Sequence, residues 1–205
     1  MRDSSALATM TVEEYFRFDE RSPIKHEYVA GEVYAMASAT ARHNLIAGTM
    51  FSLMIGAERD PCRVFMSDMR VEVDRDRYYY PDVAVICTPI GELDVVARGP
   101  CVVVEVTSPG TARIDRGEKL DAYRRIPALR AYLVVDHRRR RVERHWRESP
   151  SGVWVREEVV GQAEMPIRIP CLDVSLTLEE IYRRVELPAV HEPEGLEYDV
   201  MDDQE

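Results

Sequence analysis

Three residues of this 205-residue chain could form the centre of a reaction: Asp82, Glu105 and Lys119. Asp82 sits in YYYPDVAVIC and Glu105 interrupts CVVVEVT, so both acids stand among valine, isoleucine and cysteine. A carboxylate within an apolar strand is costly unless it is neutralised, hydrogen-bonded or bound to a cation. A divalent ion shared between two such strands would meet both costs. Magnesium prefers oxygen ligands and commonly takes one or two carboxylates with waters and a substrate phosphate. Glu105 follows Asp82 by 23 positions, room for a turn and a return strand. That spacing allows neighbouring strands without establishing them, and either acid alone would equally suit a strand end facing solvent.

Lys119 adds to the case by its rarity. Of 27 basic residues 25 are arginine, and the two lysines are Lys25 and Lys119. Lysine is a compact charge that can release its proton when partly buried, whereas arginine keeps its own. Either property would position or deprotonate a water, or offset charge growing on a phosphoryl group. The competing reading is an ordinary helix pair between Asp115 and Lys119, worth about 0.3 kcal/mol. Asp115, Lys119 and Tyr123 share one helical face, which makes Asp115 and Tyr123 supports for the lysine.

The elements that would carry these residues follow from local pattern. Thr11-Val-Glu-Glu14 has capping-box spacing and predicts a helix to about Asp19. Residues 24–36 read as a hairpin turning at Ala30-Gly31. Thr40 caps a long helix with Leu45, Ile46, Thr49, Met50, Leu53 and Met54 at helical spacing. Strands are expected at 62–66, 69–73 and 78–87, and 101–107 reads as a central buried strand holding Glu105. Ser108-Pro109-Gly110 breaks it, and a helix follows over about 114–125, before Pro127. Residues 130–136, 141–148 and 153–160 suggest an antiparallel meander, and Thr177 caps a last helix over about 178–185. The order predicts an α/β fold with a central mixed sheet flanked by helices, preceded by an N-terminal helix and hairpin. One domain is expected over 1–187, with an acidic, disordered tail over 188–205.

Composition is that of an ordinary globular chain, with 45% hydrophobic and 31% charged residues. No apolar run approaches the ~18 residues of a membrane span, and MRDSSALATM lacks the apolar stretch of a secretory leader. A cytoplasmic protein is expected. The net charge of −10 argues against a nucleic-acid partner, but it is unevenly spread. Glu186 to Glu205 contains eight acids and no Lys or Arg, and the remainder has 27 basic against 29 acidic residues. Lys119 to Arg147 alone carries ten basic residues and three acids, enough for one basic face. Within it, Arg138–Arg141 suit either phosphate contacts or a solvated turn. Cys62, Cys87, Cys101 and Cys171 lie far apart without a CxxC pair, so separate buried thiols are expected, with neither a zinc site nor a redox motif.

The order PD…E…K, with EVTSPGT, IDRGEK and AYRRIPALRAYLVVD, resembles the Uma family of endonucleases in the PD-(D/E)XK, restriction-endonuclease-like superfamily. VEEYF, KHEYVAGEVYAM, His43-Asn44, CRVFMSDMRVEV and LTLEEIY extend the resemblance over roughly 11–185. It implies a metal-dependent endonuclease acting on DNA, working as a homodimer with Mg2+, replaceable by Mn2+, and with no organic cofactor. By the same resemblance Asp82 and Glu105 would be catalytic acids and metal ligands, with the Val106 carbonyl as a further ligand. Thr107 stands where the superfamily places its lysine, and Lys119 matches the position from which similar proteins supply it. Glu27 would be an outer acid of the site, although an exposed strand acid fits it as well. His43 matches the family helix, but a surface or core histidine is the plainer reading. The departure at Thr107, with the acidic charge, leaves an alternative: a nuclease-fold protein that binds nucleic acid or a protein partner without cutting.

Overall fold

A computed structural model describes residues 6–36, 38–108, 110–161 and 165–187. The expected acidic tail over 188–205, and Pro109 in the strand break, lie outside those residues.

The chain opens with β1 (Ala8–Thr9) and α1 (Val12–Arg21). Thr11 and Glu14 close the expected capping box: Glu14 N donates to Thr11 Oγ1 at 3.3 Å, and Thr11 N donates to Glu14 Oε2 at 2.8 Å. Strands β2 (His26–Val29) and β3 (Glu32–Ala35) form the hairpin, with Ala30 and Gly31 both at positive φ in its turn. Thr40 caps α2 (Ala41–Ile55), as expected. Then come β4 (Arg63–Met66), β5 (Arg70–Asp74), β6 (Arg77–Tyr79), β7 (Val83–Ile86), β8 (Val96–Arg98) and β9 (Pro100–Thr107). Helices α3 (Ala112–Arg116) and α4 (Glu118–Tyr123) precede β10 (Ala131–Asp136), β11 (Arg141–Trp146) and β12 (Val155–Val160). A small pair, β13 (Ile167–Ile169) and β14 (Val174–Leu176), leads to α5 (Leu178–Tyr182), where Thr177 and Glu180 close a second capping box.

Two six-stranded mixed sheets result, ordered β1-β3-β2-β6-β5-β8 and β12-β11-β10-β9-β7-β4. In the second, β9 runs parallel to β10 and antiparallel to β7. It is buried along its whole length because both faces are covered. Alternation along the strand separates those faces. Val102, Val104 and Val106 join Ile46, Met50 and Met54 of α2 and Ile181 of α5 in one core. Val103 instead packs with Tyr79, Leu120, Tyr123, Leu129 and Tyr132.

Three elements differ from the sequence pattern. The expected strand over 78–87 is two strands in different sheets, β6 and β7, separated by Tyr80-Pro81-Asp82. Pro81 offers no backbone N–H to a ladder, so pairing ends there and the chain crosses between sheets. The expected helix over 114–125 is divided at Gly117 into α3 and α4. A Cβ at Gly117 would meet the Arg113 carbonyl oxygen at 2.9 Å, so this close approach requires glycine. Finally, the four cysteines are not separate thiols. Cys62 is bonded to Cys87 and Cys101 to Cys171. The β4–β7 register pairs Arg63 with Ile86 and therefore sets Cys62 opposite Cys87 one step further out.

Candidate active site

The β7–β9 ladder brings the two sequence-predicted acids together. Val83 pairs with Val104, Ala84 with Val103 and Val85 with Val102, so the next step of that register sets Asp82 opposite Glu105. Asp82 Oδ2 accepts the Val106 backbone N–H at 2.7 Å, which extends the ladder by a side chain where Pro81 has interrupted it. Glu105 shares the face of Val103, directed toward α4. There Lys119 Nζ lies 2.9 Å from Glu105 Oε1 and 2.8 Å from Glu27 Oε1, and Asp115 Oδ1 is 3.9 Å away. Tyr123 donates its hydroxyl to Glu105 Oε1 at 3.2 Å. Asp82, Glu105, Asp115 and Lys119 line one cavity of about 30 Å³ with Met36, His43, Tyr80, Val106 and Thr111. It has room for a single water or ion. Glu27 is not among its lining residues and meets the site through Lys119.

The burial of these charges decides their protonation. Removal from water pushes the Glu105 carboxyl well above its ordinary range, and Asp115, Asp82 and Glu27 add to that push against the opposing Lys119. The same burial, moderated by Lys119 and a Thr111 hydrogen bond, raises Asp115 to about 6. Burial alone would lower Lys119, but the carboxylates of Glu105, Glu27 and Asp115 outweigh it and hold the amine well above its usual value. Those surrounding acids favour the ammonium form of Lys119. Both oxygens of Glu27 are buried without a well-formed hydrogen bond, the Lys119 contact being an ion pair of poor hydrogen-bond geometry.

His43 belongs to this site, contrary to the plainer reading of it as a surface or core histidine. Its Nε2 lies 3.4 Å from Asp82 Oδ2. Burial works against its charged form, but Asp82 and the Val106 backbone outweigh that and raise its pKa. The capped start of α2 puts His43 one turn before the core residues Ile46 and Ala47, and so over the end of β7. Helical spacing alone could not distinguish that placement from a surface position.

Local pattern gave no sign of the scaffold beneath the acids. Asp19 of α1 accepts from the His26 backbone at 2.9 Å, contacts His26 Nδ1 at 3.0 Å, and accepts from Tyr80 Oη at 2.7 Å and Arg70 Nη2 at 2.5 Å. His26 precedes Glu27 and Tyr80 lies two residues before Asp82, so one buried carboxylate holds both approaches to the site. Arg138–Arg140, by contrast, form the β10–β11 turn and Arg141 begins β11; Arg139 pairs with Asp136 at 3.5 Å, and Arg141 with Glu143 at 3.0 Å and Glu158 at 2.8 Å.

Carboxylates from two neighbouring strands and a backbone carbonyl suit a hard divalent cation. The fit rests on Asp82, Glu105 and Val106 lining one cavity.

The mixed sheets with their flanking helices define a restriction-endonuclease-like fold. The chain belongs to the Uma2 family, described as "Putative restriction endonuclease", whose model matches residues 12–179. Two Synechocystis sp. proteins are similar in sequence. One, described as uncharacterized protein slr1290, is 30% identical over 183 residues, covering 88% of this chain and 95% of its own length. The other, uncharacterized protein sll1609, is 32% identical over 160 residues, covering 75% and 89%. Among solved structures, a crystal structure from Anabaena variabilis ATCC 29413, described as a putative nuclease belonging to DUF820, superposes with a TM-score of 0.69. At 14% identity, over 85% of this chain and 98% of that one, it shows the shared fold. Among the described residues no helix is long and apolar enough to cross a membrane.

Proposed function

We propose that this protein is a magnesium-dependent endonuclease that hydrolyses DNA phosphodiester bonds. The observation that carries the reading is the register of β7 and β9, which sets Asp82 opposite Glu105 with Lys119 Nζ 2.9 Å from Glu105. Asp82, Glu105 and the Val106 carbonyl would hold the cation, for which Mn2+ would substitute. The chemistry a divalent ion supplies in such a place is acidification of water and neutralisation of charge on phosphoryl oxygens.

The chain's own residues supply the rest. Lys119, fixed as an ammonium by Glu27, Glu105 and Asp115, presents positive charge to the phosphate as negative charge grows on it. Glu27 and Asp115 keep that ammonium in place, and Tyr123 orients the Glu105 carboxylate. A cytoplasmic homodimer would bring two such sites to one duplex, one for each strand.

The test is nicking of supercoiled plasmid, with Mg2+ or Mn2+, by wild type and Glu105→Ala side by side. Cleavage that needs both the cation and Glu105 supports the reading. Well-folded wild type that leaves plasmid intact with either ion overturns it. A second reading, a nuclease-fold protein that binds nucleic acid without cutting, is favoured by one observation. His43 already contacts Asp82, and three acids already surround Lys119. A salt-sensitive DNA complex formed without cleavage would select it.

A further inference from the structure

All four cysteines of the chain, Cys62, Cys87, Cys101 and Cys171, meet at one place although they come from four separate segments. The sulfurs of Cys87, Cys101 and Cys171 lie within 4.8 Å of one another, and Cys62 is bonded to Cys87. Among the described residues this is the group of three or more potential ligands that lies close enough together to share a metal ion. From this convergence we propose that, with its sulfurs reduced, the cluster is a four-thiolate site for a single zinc ion, separate from the carboxylate site.

The ligand type selects the ion. A Zn–S bond of about 2.3 Å in a tetrahedron puts neighbouring sulfurs roughly 3.8 Å apart. The sulfurs of Cys87, Cys101 and Cys171, within 4.8 Å of one another, would open to that edge once the Cys62–Cys87 and Cys101–Cys171 bonds are reduced. An iron–sulfur cluster has an inorganic core of several atoms and needs its cysteines spread more widely around it. Thiolates are soft ligands that favour zinc over magnesium, while the Asp82–Glu105 pair offers hard oxygens. One chain could thus sort two metals by ligand type alone. Binding would release the four thiol protons as the four Zn–S bonds form.

The position explains what such a site would do. Cys62 and Cys87 flank β4 and β7, Cys101 stands near the start of β9, and Cys171 lies between β13 and β14. Asp82 and Glu105 stand at the other ends of β7 and β9. The ion would therefore tie together the strands carrying the carboxylates, from the end opposite to them. The surrounding backbone is already held: Arg63 Nη1 donates to the Cys62 carbonyl at 2.8 Å, and Arg59 Nε to the Cys171 carbonyl at 3.4 Å. Cys62 and Cys101 are buried, as a closed structural site requires.

The experiment is elemental analysis and native mass spectrometry of the full chain, purified with a thiol reductant present throughout. One zinc per chain is expected, resistant to dialysis, with cysteines that react with a thiol reagent only after the metal is displaced. Exchange for cobalt should give the visible spectrum of a tetrahedral thiolate complex, a readout on wild type that needs no variant. Cys171→Ser, at a partly exposed turn position, should lose the metal. A reduced chain that carries no zinc and gives no cobalt spectrum overturns the proposal. So does a chain that carries iron with visible absorbance, or one recovered as the Cys62–Cys87 and Cys101–Cys171 disulfides without metal despite the reductant. None of these readouts depends on nuclease activity, so the two proposals fail independently.

Discussion

Lys119 Nζ reaches Glu105 Oε1 at 2.9 Å from α4, bringing a helix lysine to the strand acid. A lysine at position 107 would share the face of Glu105, since side chains two apart in a strand point the same way. Thr107 occupies that position and is buried. The break at Gly117 turns α4 so that its lysine enters the same space from the other side.

If Lys119 supplies fixed charge, Lys119→Met should lower the plasmid-nicking rate by about 100-fold or more, the effect of removing one preorganised charge-stabilising group. Lys119→Arg should fail nearly as badly, because a planar guanidinium does not fit where an ammonium meets three carboxylates. Rates are read under single turnover with saturating Mn2+. Wild-type rates in Lys119→Met would remove the lysine from the mechanism.

Gly117 is predicted to be intolerant of any side chain. Gly117→Ala forces a Cβ to within 2.9 Å of the Arg113 carbonyl, and the strain should cost about 1–3 kcal/mol. Urea denaturation gives the stability, and nicking should fall with it as Lys119 moves away from Glu105. An alanine variant as stable and active as wild type would mean that the α3–α4 break is not required.

Asp19 should be the most damaging single substitution outside the site. Against the cost of burial, hydrogen bonds from Tyr80, the His26 ring and Arg70 hold its carboxyl below its ordinary range. Asp19→Asn leaves the Arg70 guanidinium buried without a counter-charge, a loss of about 3–5 kcal/mol. Thermal melting should show a large drop in Tm. In the fraction that remains folded, nicking should also be slower, since Tyr80 and His26 lead into Asp82 and Glu27.

Acid should destabilise the protein partly through His145. Burial, and next the Arg124 guanidinium beside it, lower its pKa to about 4 from 6.5. Nδ1 lies 3.0 Å from Arg124 Nη2, which places it as the acceptor of a neutral ring. The unfolded chain therefore takes up this proton first as pH falls. The contribution to stability is complete above about 6.5 and is lost as pH drops toward 4, by roughly 2–3 kcal/mol. His145→Gln, which keeps an acceptor but does not titrate, should flatten the dependence of Tm on pH over that range. An unchanged slope would assign the effect to other groups.

Much of the site and its supports could be read along the chain because the relevant physics is local or periodic. Thr11 with Glu14 marked the start of α1, and Thr40 and Thr177 marked the starts of α2 and α5, because a helix cap is completed within three residues. Glu105 within a run of valines identified a central strand with a charge to neutralise. The scarcity of lysine among the arginines pointed to Lys119. What lay beyond the sequence was the register between distant segments, since many pairings satisfy the same alternation. Only the tertiary structure set Asp82 opposite Glu105, divided the expected 78–87 strand at Pro81, brought His43 onto Asp82 and gathered both approaches to the site onto Asp19. It likewise brought four cysteines, unremarkable in their spacing, to one end of the sheet. Each of these contacts joins residues that do not adjoin in the chain, so the energy that selects it belongs to the packed sheets.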